Sequence, residues 1–245
     1  MDDGYCGLGF YSFQKEEFVL MFYLDHRLTI IIGAYGSGKS EISVNMALSQ
    51  RKALPEKKLL IADLDIVNPF YRSSDCAAVL EKAGVRLVTP LYAGSNVDAP
   101  VLPPDMYVIF DDESYQGVFD IGGEDMGALV LGSLKKRIEG TDAVIYMAVN
   151  SLRPFTSDAE QIAVMTNELS AAAGFKIDGY LNNTNLLEET TAEMVSEGEA
   201  RILEASAFTG VPLIANCVME GVEIPDGLLK TNELFRMERR IHYAY

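Results

Sequence analysis

Residues 33–40 read Gly-Ala-Tyr-Gly-Ser-Gly-Lys-Ser, between the apolar run LTIII at 28–32 and a stretch with helical spacing, SEISVNMALSQRK. This spacing, GxxxxGK followed by Ser or Thr, constrains the fold more than any other feature of the chain. A strand, a glycine-rich turn and a helix in that order point successive backbone N–H groups at one anion near the helix N-terminus. Gly33, Ala34, Tyr35, Gly36, Ser37, Gly38, Lys39, Ser40 and the adjoining Glu41 are the expected phosphate-contacting segment. Lys39 reaches toward the terminal phosphates, and the Ser40 hydroxyl is a ligand for magnesium.

Strand-like and helix-like runs alternate through the rest of the chain. KLLIAD at 58–63 reads as a strand, 74–83 as a helix closed by Gly84, and VRLVT as a strand. Residues 90–104 are rich in Pro, Gly, Ser and Asn and read as a loop. PPDMYVIFDDES at 103–114 reads as a short helix, although YVIF also suits a strand. QGVFDIGG and DAVIYMAVN are apolar strands around the helical GALVLGSLKKRIE. Residues 158–173 form a helix, KIDGYLNN a strand and 190–208 a helix. VPLIANCVM is the expected last strand, and a final helix is expected from about Asp226 or Thr231. This alternation predicts a three-layer α/β/α fold with a mainly parallel sheet of about seven strands. No repeat or linker divides it, so residues 28–245 are read as one nucleotide-binding domain.

Residues 1–27 form an extension without the basic start, apolar core and cleavage site of a signal peptide. Met21 is an alternative start, and the extension is otherwise an edge strand or a partner-binding arm. The formal net charge of −16 opposes binding to phosphate backbones and anionic lipids, so neither direct nucleic-acid binding nor membrane association is expected. Three separated cysteines, Cys6, Cys76 and Cys217, fit a reducing cytoplasm better than a disulfide framework.

Acidic residues at strand ends supply the remaining chemistry. Asp63 and Asp65 lie two apart and so share a strand face. The carboxyl end of a strand is where open α/β sheets bind ligands. Asp63 and Asp65 are both read as acids of the magnesium site, one holding a magnesium-bound water, and Asp65 is also read as the catalytic group that orients the attacking water, beside Lys39. Asp120 suits magnesium contact through water, with Gly122 or Gly123 presenting an N–H to the terminal phosphate. Asp111 and Asp112 compete with Asp120 for that role. Asn182 and Asn185, in NNTN at 182–185, are the expected base-reading residues. Asn185 can both donate and accept, which favours adenine over guanine. Arg153, after the strand ending at Asn150, is either a cation near the phosphates, a partner contact or a surface residue, and is not counted in the site. The tail NELFRMERRIHYAY reads as a terminal helix packed on the domain, with an amphipathic anchor as the other reading.

In order, GAYGSGKS, IADLDIVNP, FDIGG and NNTN resemble the SIMIBI group of P-loop NTPases, which includes MinD, ParA, the nitrogenase iron protein and the nickel-insertion ATPase CooC. The resemblance covers about residues 28–220. It implies binding of ATP and Mg2+ and slow hydrolysis as a switch on a protein partner, with metal-centre or cofactor maturation as one setting. It also implies an ATP-dependent homodimer. Relatives that activate a carboxylate with ATP, such as dethiobiotin synthetase and the cobyrinic acid amide synthases, imply the alternative of a small-molecule ligase or synthase. The deviant members carry a lysine directly after the first glycine, and it reaches across the dimer. Here that position holds Ala34, so catalysis through that lysine is absent.

Overall fold

The computed structural model describes residues 21–65, 76–89, 102–122, 125–230 and 233–241. Eight strands form one sheet: β1 Leu28–Ile32, β2 Lys58–Leu64, β3 Val85–Val88, β4 Tyr115–Ile121, β5 Ala143–Val149, β6 Gly179–Asn182, β7 Leu213–Met219 and β8 Leu234–Met237. Their spatial order is β3-β2-β4-β1-β5-β6-β7-β8, and every pairing is parallel. The helices are α1 Lys39–Ala53, α2 Ala77–Ala83, α3 Val108–Asp111, α4 Asp125–Glu139, α5 Ala159–Ala173 and α6 Ala192–Thr209.

Alternation along β1 shows how the layers are made. Leu28, Ile30 and Ile32 face a cluster that includes Leu131 and Leu134 of α4, Ile162 and Leu169 of α5, and Ile202 of α6. Ile31 faces the opposite cluster, with Ile42 and Met46 of α1 and Leu80 of α2. A strand covered on both faces reads as a continuous apolar run, and LTIII is such a run. Each fully buried Leu or Ile side chain contributes roughly 1.5–3 kcal/mol through burial. No helix among the described residues is long and apolar enough to cross a membrane.

Two expectations about the chain ends are corrected. The tail forms a strand where a helix was expected, so β7 is not the last strand and the sheet has eight strands. In β8, Phe235 and Met237 are buried while Arg236 is exposed, which is a period of two. The helical spacing of Leu234, Met237 and Ile241 arises because Ile241 lies beyond the strand and is buried in the α1-side cluster. Near the other end, Phe22 packs edge-to-face on Tyr146 and Phe235, with ring centroids 5.7 Å apart in both pairs. The Gln50 side-chain amide donates to the Tyr23 carbonyl at 2.8 Å. Part of the extension, from Met21 onward, therefore belongs to the packed domain; residues 1–20 lie outside the described residues.

The segment at 103–114 is helical as expected: a 3-10 turn, Pro104–Tyr107, runs into α3. This removes Asp111 and Asp112 from the candidate site. Asp111 pairs with Arg137 at 3.0 Å. Asp112 accepts from Ser114 and Lys58 at the amino ends of β4 and β2, opposite the edge where the phosphate loop lies. Those hydrogen bonds, the Ser114 hydroxyl first, hold its carboxyl down at about 2.

Candidate nucleotide site

The loop between β1 and α1 is built from glycines because its backbone folds tightly against neighbouring strand ends. At Gly33 a Cβ would lie 2.4 Å from the Ala148 carbonyl oxygen of β5. Gly38, the residue before α1, has φ 82°, and a Cβ there would lie 2.2 Å from Asn183 Nδ2. Both distances are far inside van der Waals contact, so larger residues would displace the loop. The Lys39 ammonium is buried and donates to the Ala34 carbonyl at 3.1 Å. Ser40 lies one residue further along α1 and is half-buried, while Tyr35 is exposed at the loop tip.

Tyr35, Gly36, Gly38, Lys39, Ser40 and Glu41 line one cleft with Asp65, Arg153, Asn183 and Asn185, whereas Gly33, Ala34 and Ser37 lie outside its lining. Asp63 and Asp120 stand opposite each other in the register of β2 and β4, and both are almost fully buried at the carboxyl ends of their strands. The Asp65 N–H donates to Asp63 Oδ1 at 3.2 Å, just beyond the end of β2. Gly122 lies against Asp65: a Cβ on Gly122 would come within 3.0 Å of Asp65 Oδ1. The strand-end acids expected from sequence are thus brought together, while Gly123 lies outside the described residues.

The asparagine loop divides into two roles. Asn182 is fully buried and does not line the cleft: its amide donates to the Val195 carbonyl at 2.9 Å and to Asn216 Oδ1 at 2.7 Å. Asn216 donates on to Glu199, whose second oxygen accepts from the Lys230 N–H. Asn183, not selected from sequence, touches the phosphate loop: its amide donates to the Ser37 carbonyl at 2.7 Å. Asn185 does line the cleft. Its side chain donates to the Asn183 carbonyl at 2.7 Å and accepts from the Leu187 N–H at 3.4 Å. Asn183 and Asn185 both lie beyond the end of β6, so strand periodicity does not separate them from Asn182.

Two further contributors were not foreseen. Arg239 and Ile241, beyond β8, complete one side of the cleft, and Arg239 pairs with Glu188. The Glu41 carboxylate secures this segment by accepting from the Arg240 N–H at 2.7 Å and the Ile241 N–H at 3.1 Å. Burial pushes the Glu41 carboxyl above its ordinary range, and these N–H donors counter part of that shift. Asn45 adds a paired contact, donating to the Glu238 carbonyl and accepting from its N–H, each at 2.9 Å. Glu41, expected only as a nucleotide contact, is therefore also the anchor of the chain end.

No family model matches this chain, and no curated protein matches it. Solved structures do. FtsY from Thermotoga maritima matches with TM-score 0.50 and 12% identity over 89% of this chain and 65% of that one. The chain also resembles the signal recognition particle 54 kDa protein from Aeropyrum pernix in complex with GDP, at TM-score 0.49 and 13% identity. FlhF complexed with GTP and Mg2+ matches at TM-score 0.48 and 11% identity. This chain covers 44% of the Aeropyrum protein and 72% of FlhF, and 90% and 91% of its own length is matched. The chain has the three-layer P-loop NTPase fold.

Proposed function

We propose that this protein binds ATP with magnesium and hydrolyses it slowly, as a cytoplasmic switch that acts on a protein partner. The observation that carries the reading is the meeting of Lys39 and Ser40, at the start of α1, with Asp65 in one cleft, backed by the Asp63–Asp120 pair. Lys39 exchanges the Ala34 carbonyl for phosphate oxygens, and loop N–H groups surround the same phosphates. Ser40 would hold magnesium, and Asp63 and Asp120, buried at the neighbouring strand ends, would support it. The bound ion neutralises phosphate charge. Among the described residues no cluster of three His, Cys, Asp or Glu side chains could hold a metal. A magnesium ion carried in on substrate phosphates fits this donor set, since Mg2+ uses one or two protein ligands and keeps its waters. Asp65 orients the attacking water, the step on which phosphoryl transfer to water depends.

The order of the four motifs supports placement among the MinD- and ParA-like NTPases. Preference for ATP over GTP rests on Asn185, which stands where an aspartate would accept two hydrogen bonds from guanine. Ala34 favours a second reading, an ATP-dependent ligase or synthase that activates a small carboxylate, because those relatives also lack the crossing lysine. Solution mass with ADP, and then with a non-hydrolysable ATP analogue and Mg2+, separates the two. The switch reading expects a monomer with ADP and a dimer with the analogue. An unchanged mass in both states would overturn the switch and leave the small-molecule reading.

A further inference from the structure

Arg153 has no role in the mechanism above, although it lies over the centre of the phosphate loop. It follows β5 and precedes the 3-10 turn Pro154–Thr156, so the chain leaves the sheet edge beside the loop. Its Nε donates to the Gly36 carbonyl at 3.1 Å. A Cβ on Gly36 would lie 3.1 Å from that Nε and 3.5 Å from Cζ, so the guanidinium rests on the glycine itself. Lys39 makes the equivalent contact two residues earlier, to the Ala34 carbonyl at 3.1 Å. Two cations are thus seated on carbonyls of one anion-binding loop, and both line the cleft.

Charge makes the placement notable. The chain carries 36 acidic and 20 basic side chains, and the other arginines near the cleft are paired: Arg239 with Glu188 and Arg240 with Glu238. Among the described residues no ion pair holds Arg153. A guanidinium has five N–H donors in a planar fork. With Nε on Gly36, the four Nη donors remain to bind phosphate oxygens in the bidentate manner arginine favours.

We propose that Arg153 is a second phosphate-binding cation, contributed by the same chain, that contacts the triphosphate beside Lys39. It provides from within one subunit the kind of charge that the loop lacks at Ala34. This rests on the triphosphate-binding reading and assigns Arg153 as the residue that separates triphosphate from diphosphate.

The test is calorimetric titration of Mg2+ with a non-hydrolysable ATP analogue, and of Mg2+ with ADP, into wild type, Arg153→Ala and Arg153→Lys. Wild type binding the analogue is the first requirement; its failure would remove the underlying reading, whatever the variants do. Given that binding, Arg153→Ala should weaken the analogue about tenfold or more, the scale of a lost charged hydrogen bond, with ADP affinity changed much less. Arg153→Lys should recover only part of the loss, because an ammonium cannot present the fork. Equal affinities in wild type and Arg153→Ala would overturn the assignment, as would equal losses for analogue and ADP, which would reduce Arg153 to a support for Gly36. Mixing Arg153→Ala with Lys39→Ala should leave ATP turnover at the sum of the two variants. Recovery on mixing would show that the arginine serves a neighbouring subunit and would overturn its action within one chain.

Discussion

Two loops meet across the cleft, and they are built from opposite materials. The loop at 33–40 is backbone: its close approaches are at glycines, where a notional Cβ would lie 2.4 Å from the Ala148 carbonyl oxygen at Gly33 and 2.2 Å from the Asn183 amide at Gly38. The loop at 182–185 is side chain: four consecutive polar residues, each sent to a different partner. Asn182 goes inward to Val195 and Asn216, Asn183 to Ser37, and Thr184 to Ser151, while Asn185 turns back on Asn183. A backbone loop depends on glycine at fixed intervals. A side-chain loop depends on which way each residue points, and that is set by the layers around it.

The largest effect should come from removing chemistry without disturbing either loop. Asp65→Asn keeps the size of the side chain and the backbone hydrogen bond to Asp63 while removing the carboxylate. Turnover of ATP should fall by ~10²-fold or more, the usual scale for a positioned acid–base group. Affinity for the Mg2+–analogue complex should change little. Steady-state hydrolysis and titration on the same preparation check both, and undiminished turnover would remove Asp65 from the mechanism.

The two asparagines should separate next. Asn182→Ala leaves buried acceptors on Val195 and Asn216 without their donor, at a cost of ~1–3 kcal/mol in unfolding free energy. The affinity of the folded protein for nucleotide should hold. Asn183→Ala releases Ser37 and should do the reverse, weakening nucleotide binding several-fold with a smaller loss of stability. Denaturant melts and titrations on the pair decide it; the same pattern in both variants would dissolve the distinction drawn between inward and loop-facing amides.

The smallest effect concerns the chain end that closes the cleft. The folded-state pKa of Glu41 lies above its ordinary 4.5, so the native state holds that proton more tightly than the unfolded chain does. Its contribution is full below the ordinary value and is lost as pH rises through the raised one. Glu41→Gln lacks this titration. The difference in melting temperature between wild type and Glu41→Gln should therefore move in favour of the variant as pH rises above about 4.5. A difference independent of pH would contradict the role given to burial.

These contrasts explain what was legible in the sequence. The phosphate loop, the acids at the ends of β2 and β4 and the alternation of strands and helices all leave a trace in spacing, and all are where that spacing puts them. Asn182 and Asn183 are chemically identical neighbours, and only the packing of α6 against β6 tells which is structural. Arg239 and Ile241 reach the cleft because the tail adds β8 to the sheet edge, a long-range pairing that the helical spacing of Leu234, Met237 and Ile241 concealed. Arg153 was visible as a cation after a strand, but its contact with Gly36 spans 117 residues and depends on the strand order.

The central claim is that the 33–40 loop binds a magnesium nucleoside triphosphate through Lys39. Titration of ATP into wild type and Lys39→Ala, with and without Mg2+, tests it most directly. Wild type should show saturable binding at one site per chain, strengthened by Mg2+, and Lys39→Ala should lose at least about a hundredfold in affinity with the melt unchanged. Equal affinity in the two proteins, or no binding in wild type, would contradict it.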